Sequence, residues 1–194
     1  MSSALLRSVV SRRTNYNLTN KSPIPQEKIQ EIVKTIVKNA PTSFNVQSIR
    51  AIVVTPENHQ KLWGKANELA KADDSPFAPK LELFSKAYGT VLFFDHLPTV
   101  EGLKKNVPEL FHSEVALWAA NSNGYAQIST WAALHAEGLG ASLQHYHPYI
   151  VNAAKEIGLT IPEGWALRAQ LVFGEPTEDP LPKTFLEEDT VLIY

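Results

Sequence analysis

Two short stretches of the chain carry side chains suited to binding anions and planar polar groups. In SRRTNYNL, residues 11–18, Arg12 and Arg13 are followed by Thr14 and Asn15. A guanidinium fork can hold two phosphate oxygens at once, and a hydroxyl and an amide add further donors, so this run suits a phosphate. Arginines also favour the C-terminal end of a helix through its dipole, and that reading stays open. In APTSFNVQ, residues 40–47, Pro41 fixes the exit from a helix and is followed by Thr42, Ser43, Asn45 and Gln47. On an extended backbone Asn45 and Gln47 would point the same way and present two amides to the edge of a planar heterocycle. Loop chemistry, in which Ser, Thr and Asn satisfy the ends of neighbouring elements, explains the same residues. Lys183, in the proline-bounded LPKTF, reads on its own as a solvated charge.

Other chemistries are poorly served. HYH at 145–147 spaces two imidazoles for one strand face, but no third ligand lies near in sequence, so no metal is expected. GLGASL at 138–143 has Leu143 where a dinucleotide fingerprint needs its third glycine, and it follows a helix. There is no G-x-S-x-G nucleophile elbow. The absence of cysteine removes thiolate sites and disulfides together. With 18 basic and 20 acidic residues intermixed and a net charge of −2, neither nucleic acid nor an anionic membrane is an expected partner. No window approaches the roughly 20 apolar residues that span a bilayer. The N-terminal stretch has a short apolar run interrupted by Arg7, with no cleavage site after it, and reads as a helix of the fold.

The elements that must position these residues alternate between helix and strand, which predicts one layered α+β domain over residues 1–194. SPIPQEKIQEIVKTIVKNA places Ile29, Ile32, Val33, Ile36 and Val37 on one helical stripe. The runs at 50–55 and 88–95 read as buried strands, with a surface helix between them over NHQKLWGKANELAK. ADDSPFAPKLELFSK reads as a proline-interrupted excursion that caps a site or covers an edge. The Ala-rich stretch from Tyr125 to Ala136 predicts a buried helix ending at Gly138. Trp165, Leu167, Ala169 and Leu171 alternate as a third strand, and DTVLIY at 189–194 reads as a fourth.

Taken in order, RRTNYNL, PTSFNVQ, GLGASLQHY, QLVFG and the late lysine resemble the nitroreductase family of FMN-dependent oxidoreductases over nearly the whole chain. They look most like its short fungal branch, related to fatty-acid-repression and oxidative-stress proteins. The resemblance implies an α/β sandwich with a central, mostly antiparallel sheet flanked by helices. It also implies a homodimer with FMN at the interface and the C-terminal strand exchanged between subunits. By the same resemblance Arg12, Arg13, Thr14 and Lys183 would hold the flavin phosphate and ribityl chain. Pro41, Thr42, Ser43, Asn45 and Gln47 would lie along the flavin, and Gln144, His145 and Tyr146 near N5. Tyr16 stands where many members carry a basic residue near the pyrimidine, and Phe185 where a second basic residue follows the lysine. Leu110, Phe111, Val115, Leu117 and Trp118 would face the interface or the cap. The implied activity is ping-pong transfer from NADH or NADPH to a nitroaromatic or quinone-like acceptor, linked to oxidative stress or lipid signalling. No catalytic acid or base is certain, and His145 is the candidate. A cytoplasmic location, with the nucleus open, is expected. The alternative is a flavin-binding sensor with little turnover.

Overall fold

The computed structural model describes residues 3–186 and residue 191; the strand expected over 189–194 lies outside these residues apart from Val191. Its centre is the apolar run that forms β3 (Gly89–His96), buried at every position but the last, so both faces are covered. β2 (Ile49–Val54) pairs along one edge of β3 and β5 (Trp165–Pro176) along the other, both antiparallel. β4 (Gly140–Gln144) and β1 (Leu18–Thr19) pair with successive parts of β5, again antiparallel. A single parallel bridge from Thr14 to Ala141 adds the arginine segment to this sheet.

Helices cover both faces. On one side α3 (Glu57–Ala72), α4 (Ala78–Phe84) and α7 (His147–Glu156) bring Leu62, Trp63, Phe84 and Ile150 onto Leu92, Phe94 and Val172. On the other, α2 (Gln26–Asn39) and α6 (Val115–Ala136) set Ile29, Val33, Trp131 and Leu134 against Val91, Phe93, Leu171 and Phe173. α5 (Leu97–Leu103) closes a smaller cluster with Val107, Val115 and Ala119, so Val115 is core rather than surface. α1 (Ala4–Ser11) lies on α6 and buries none of its own residues. α6 ends as expected at Gly138, whose φ of 88° suits glycine. Its Tyr125, however, is 57% exposed, within a stripe of exposed positions that also includes Leu117 and Ser129.

Two local features depart from the sequence pattern. The 73–87 excursion holds α4, with Pro79 in the first turn where proline is tolerated, and its Leu81 and Phe84 enter the core. In β5 the expected alternation breaks: Phe93 pairs with Ala169 but Phe94 with Leu167, leaving Arg168 as the extra residue of a bulge. Trp165 and Leu167 therefore pack on the α3 side, while Ala169 and Leu171 face α6. Close approach fixes Gly174, where a Cβ would come 2.3 Å from the Thr19 carbonyl oxygen.

Under α3, His59 is fully buried, with Nδ1 3.0 Å from the Thr90 hydroxyl and Nε2 2.9 Å from the Phe84 carbonyl. The Trp63 indole N–H donates to the same hydroxyl at 2.8 Å. The hydroxyl proton then goes to Nδ1 and Nε2–H goes to Phe84, a closed network of neutral groups. Burial lowers the His59 pKa to about 4, despite the Phe84 hydrogen bond that opposes the shift. With the folded pKa below the ordinary 6.5, the fold keeps its full stability above pH 6.5 and loses it as pH falls toward 4, by about 3 kcal/mol in all. Urea unfolding across this window should show that loss in the wild type and a shallower one in His59→Gln; parallel profiles would contradict it.

Candidate functional site

Residues 12–17 run extended beside β4 and send alternate side chains in opposite directions. Arg13 donates through Nη2 to the Leu181 carbonyl, Asn15 Nδ2 to the Glu178 carbonyl at 2.6 Å, and Asn17 Nδ2 to the Glu178 carboxylate. Thr177 returns the contact, with its N–H and hydroxyl both on the Asn17 carbonyl at 3.0 and 3.1 Å. These bonds fasten the 177–181 tail along the segment. They bring Lys183 close by sequence to the carbonyl that Arg13 holds, with Nζ 5.1 Å from the Phe185 ring centroid. Arg12 turns elsewhere: its guanidinium stands 4.5 Å from the Trp131 ring centroid while Nε donates to the Val9 carbonyl. Burial, then the neighbouring Arg13 charge, lowers its pKa. Tyr16 faces Tyr146, whose phenol pKa is raised by burial first and by Tyr16 second.

The segment after β4 is held from below. The Tyr146 N–H donates to buried Gln170 Oε1 at 2.7 Å, so it is committed within the chain. Gln144 Nε2 donates to the Ser142 hydroxyl at 2.5 Å. His145 is exposed, and its ring centroid is 5.8 Å from that of His147. His147 donates Nε2–H to the Arg168 carbonyl at 2.9 Å, and its pKa is lowered chiefly by burial. Among the described residues no group of three or more His, Cys, Asp or Glu could hold a metal ion.

The 41–47 stretch is not extended. Ser43–Asn45 form one 3-10 turn, and Phe44, Asn45 and Gln47 take positive φ of 54°, 52° and 52°. Each such non-glycine residue costs on the order of 1–3 kcal/mol, and a bulky one such as Phe44 is uncommon there. The turn is held by Asn45 N–H on the Thr42 carbonyl and Gln47 N–H on the Thr42 hydroxyl, both at 2.9 Å. Arg50 Nη1 adds a bond to the Gln47 carbonyl at 2.6 Å. The two amides still meet, Gln47 Nε2 lying 3.5 Å from Asn45 Oδ1, through strained turns rather than strand alternation. The Phe44 ring rests 6.3 Å from Trp118.

Arg12, Thr14, Tyr16, Gln144–Tyr146 and Lys183 thus gather around β4 and the tail, while Pro41–Gln47 stand apart. The distance follows from α6: Arg12 is on Trp131 and Phe44 on Trp118, 13 residues or about 20 Å along one helix. A groove of about 620 Å³ opens between α2 and the edge of β2. Val33, Val37, Val53 and Trp165 form its apolar lining, with Lys34, Lys38, Arg50 and Gln47 around them. Sequence reading missed the Asp95–Arg168 pair, the role of Arg50 and the exposure of Phe44; the Asp closing an apolar run, FFD, was the available signal.

Comparison with known proteins finds relatives of the same family and fold. The nitroreductase family model matches residues 9–175. HBN1 of Saccharomyces cerevisiae, named as a nitroreductase, is 40% identical over 95% of this chain and 94% of its own. The nitroreductase CinD from Lactococcus lactis, solved in complex with 4-nitrophenol, is 36% identical over 97% of this chain and 98% of its own, with a TM-score of 0.85. CinD has also been solved with chloramphenicol and with nicotinic acid. A Desulfitobacterium hafniense nitroreductase with bound FMN, 17% identical over the whole of both chains, shares the fold at a TM-score of 0.71.

The tail depends on a few polar bonds, of which that from buried Asn15 is the least exposed to competition from water. Asn15→Ala should raise hydrogen exchange across 177–183 severalfold and leave the β3 amides protected; unchanged exchange in the tail would show that this bond does not fasten it.

Proposed function

The chain belongs to the nitroreductase family, and we propose from that premise that it is an FMN-dependent oxidoreductase that uses NADH or NADPH to reduce small aromatic acceptors, nitroaromatics or quinones, as a cytoplasmic homodimer. The observation that carries the reading is the donor set around β4. It comprises a half-buried arginine and a hydroxyl for a phosphate, with Lys183 two residues beyond the carbonyl that Arg13 holds, followed by an exposed turn at His145 for a flat ring. When bound, FMN supplies two-electron transfer between a nicotinamide and the acceptor that replaces it in one pocket.

The chain's own residues bind and orient. Arg12 and Lys183 meet the phosphate, each charge-assisted bond contributing about 1.5–3 kcal/mol, and the Thr14 hydroxyl supplements them. Arg13 acts from behind by fixing the tail that carries Lys183. Pro41, Thr42 and Ser43 shape the turn from which Asn45 and Gln47 reach the ring edge. Tyr146 has its N–H on Gln170, so among the last residue of β4 and the two that follow it gives shape, while His145 and Gln144 meet the ring. His145 also carries the imidazole placed to offer a proton, since His147 spends Nε2–H on Arg168.

A second copy reconciles the separation of the two motifs, because each site would take Arg12 from one chain and Asn45 from the other. Support comes from apolar surface that the single chain leaves bare: Leu5, Leu6 and Val10 on α1, Leu117 and Tyr125 on α6. The C-terminal residues 189–194 would then add to the open edge of β2, in the α2 groove of the partner.

An absorption spectrum of the purified protein, before and after anaerobic NADH or NADPH, tests the activity. Flavin bands should bleach on addition and return with 4-nitrophenol or a quinone; bands that persist would favour a sensor, and protein that refuses FMN would end the flavin reading. In the same titration Arg12→Ala should weaken FMN binding by about tenfold to a hundredfold, as loss of one charge-assisted bond implies. Removing residues 189–194 should give monomer with weakened flavin binding, read by sedimentation and colour, and a truncated protein that stays a yellow dimer would refute the exchanged strand.

A further inference from the structure

The link between α3 and α4 carries an aromatic ring that the core does not take in. α3 ends in a fixed turn: the Ser75 N–H donates to the Ala70 carbonyl at 2.9 Å, and Asp74 takes φ 51°, a value that aspartate tolerates better than most residues. α4 follows at once, with Ala78 buried and the Lys80 N–H on the Phe77 carbonyl at 2.9 Å. Phe77 is therefore held by its backbone from both sides, yet it remains 48% exposed. Its ring meets that of Tyr146 at 5.7 Å between centroids and 67° between planes, an edge-to-face contact. Beyond Tyr146 lie Phe84 and Trp63, at 6.0 and 6.3 Å, so ring contact runs from the surface into the core. Tyr16, 42% exposed, also faces Tyr146.

The place of this ring decides what it can serve. Tyr146 directly follows His145, the exposed turn that takes the flat ring of the flavin, so the surface at Phe77 is continuous with that turn. It can receive the part of a substrate that extends beyond the reacting ring. A nicotinamide dinucleotide has such a part, an adenosine joined to the nicotinamide half by a diphosphate. Adenine offers a π-face that stacks on an aromatic side chain. The charges nearby suit the remainder. Lys80 is exposed and follows Phe77 by three residues, the spacing of neighbours on a helix, and its ammonium suits a phosphate. Asp73 and Asp74, both exposed, precede Phe77. A carboxylate accepts from ribose hydroxyls and repels a phosphate placed on one of them.

We propose that Phe77, backed by Tyr146, stacks the adenine of the reductant, with Lys80 at its diphosphate and Asp73 and Asp74 at the adenosine ribose, so that this surface selects NADH over NADPH. This deepens the reading of the chain as a nicotinamide-dependent flavin reductase and rests on it. The nicotinamide ring reacts at the flavin, and the adenosine half anchors it from the side. An acceptor that replaces the nicotinamide has no adenosine, so it competes for the ring position and leaves the Phe77 surface untouched.

ADP-ribose carries the adenosine half without the nicotinamide and so tests the surface without turnover. It is titrated calorimetrically into the FMN-loaded protein, whose flavin content is read from absorbance. Wild-type protein should bind ADP-ribose more tightly than 2′-phospho-ADP-ribose. Phe77→Ala should weaken ADP-ribose by about fivefold to a hundredfold, the range of one stacked base, while Phe77→Trp, which keeps a ring, should bind as the wild type does. In turnover, the kcat/KM advantage of NADH over reduced nicotinamide mononucleotide, which has no adenosine, should shrink by the same factor in Phe77→Ala. Unchanged ADP-ribose affinity in Phe77→Ala, lost affinity in a well-folded Phe77→Trp, or tighter binding of the 2′-phosphate analogue overturns the proposal with the reductase reading intact. Wild-type protein that takes up no FMN, or whose flavin bleaches with neither nicotinamide, overturns that reading, and this proposal with it.

Discussion

One fully buried carboxylate, Asp95, ties together the elements on which both halves of the candidate site depend. It accepts from Arg168 Nε at 2.6 Å and from Asn123 Nδ2 at 2.7 Å, and Asn123 in turn accepts from Gln127 at 2.9 Å. A charge taken from water at this depth needs every one of those bonds, and losing a partner of such a pair costs about 3–5 kcal/mol. Arg168 can reach it because it is the bulged residue of β5, turned out of the regular pleat. The same residue's carbonyl receives His147 and so fixes the start of α7 behind the His145 turn. Through Asn123 the carboxylate also fixes α6, the helix whose ends carry Trp118 and Trp131. One ionic contact thereby sets the positions of the amide turn and the arginine segment alike.

Much of the fold was legible because burial imposes a period. α2 showed its stripe, β2 and β3 their β-branched and aromatic runs, and α6 its glycine stop, each within a residue or two. What escaped has a common cause. α4, α5 and α7 all carry a proline in their first turn, and a short helix opened by proline looks like a broken loop when only the proline is read. The bulge escaped for a different reason: Leu167 and Ala169 are both apolar, so nothing in the alternation reveals that Arg168 sends them to opposite faces.

The candidate site was legible in type rather than in arrangement. Arginines, amides and a late lysine declared their chemistry through donor geometry, which is a property of the residue. Their partition is a property of the backbone. An extended run alternates, so adjacent Arg12 and Arg13 cannot serve one phosphate together; Arg13, Asn15 and Asn17 are given to the tail. The amide pair shows the reverse case, where side chains two apart meet although the backbone is not extended. Positive φ at Phe44 and Gln47 leaves no trace in composition, because only Asn45 of the three is a residue type that favours the conformation.

The lack of glycine bears on how the 42–47 turn is kept. A flexible glycine loop could reach the same shape without strain, but it would have to be ordered each time a ring bound, and backbone ordering costs about 1–2 kcal/mol per residue. Here the ordering is done in advance, by Thr42 bonding forward to Asn45 and Gln47 and by Arg50 holding the Gln47 carbonyl. Strain in the turn is tolerated because the flanking elements are over-determined, with Ser48 and Ile49 buried and the β2 register set along β3. A ring bound at this turn as proposed would meet a costly surface conformation ready-made, maintained by the stable sheet, with no binding free energy diverted into folding the loop.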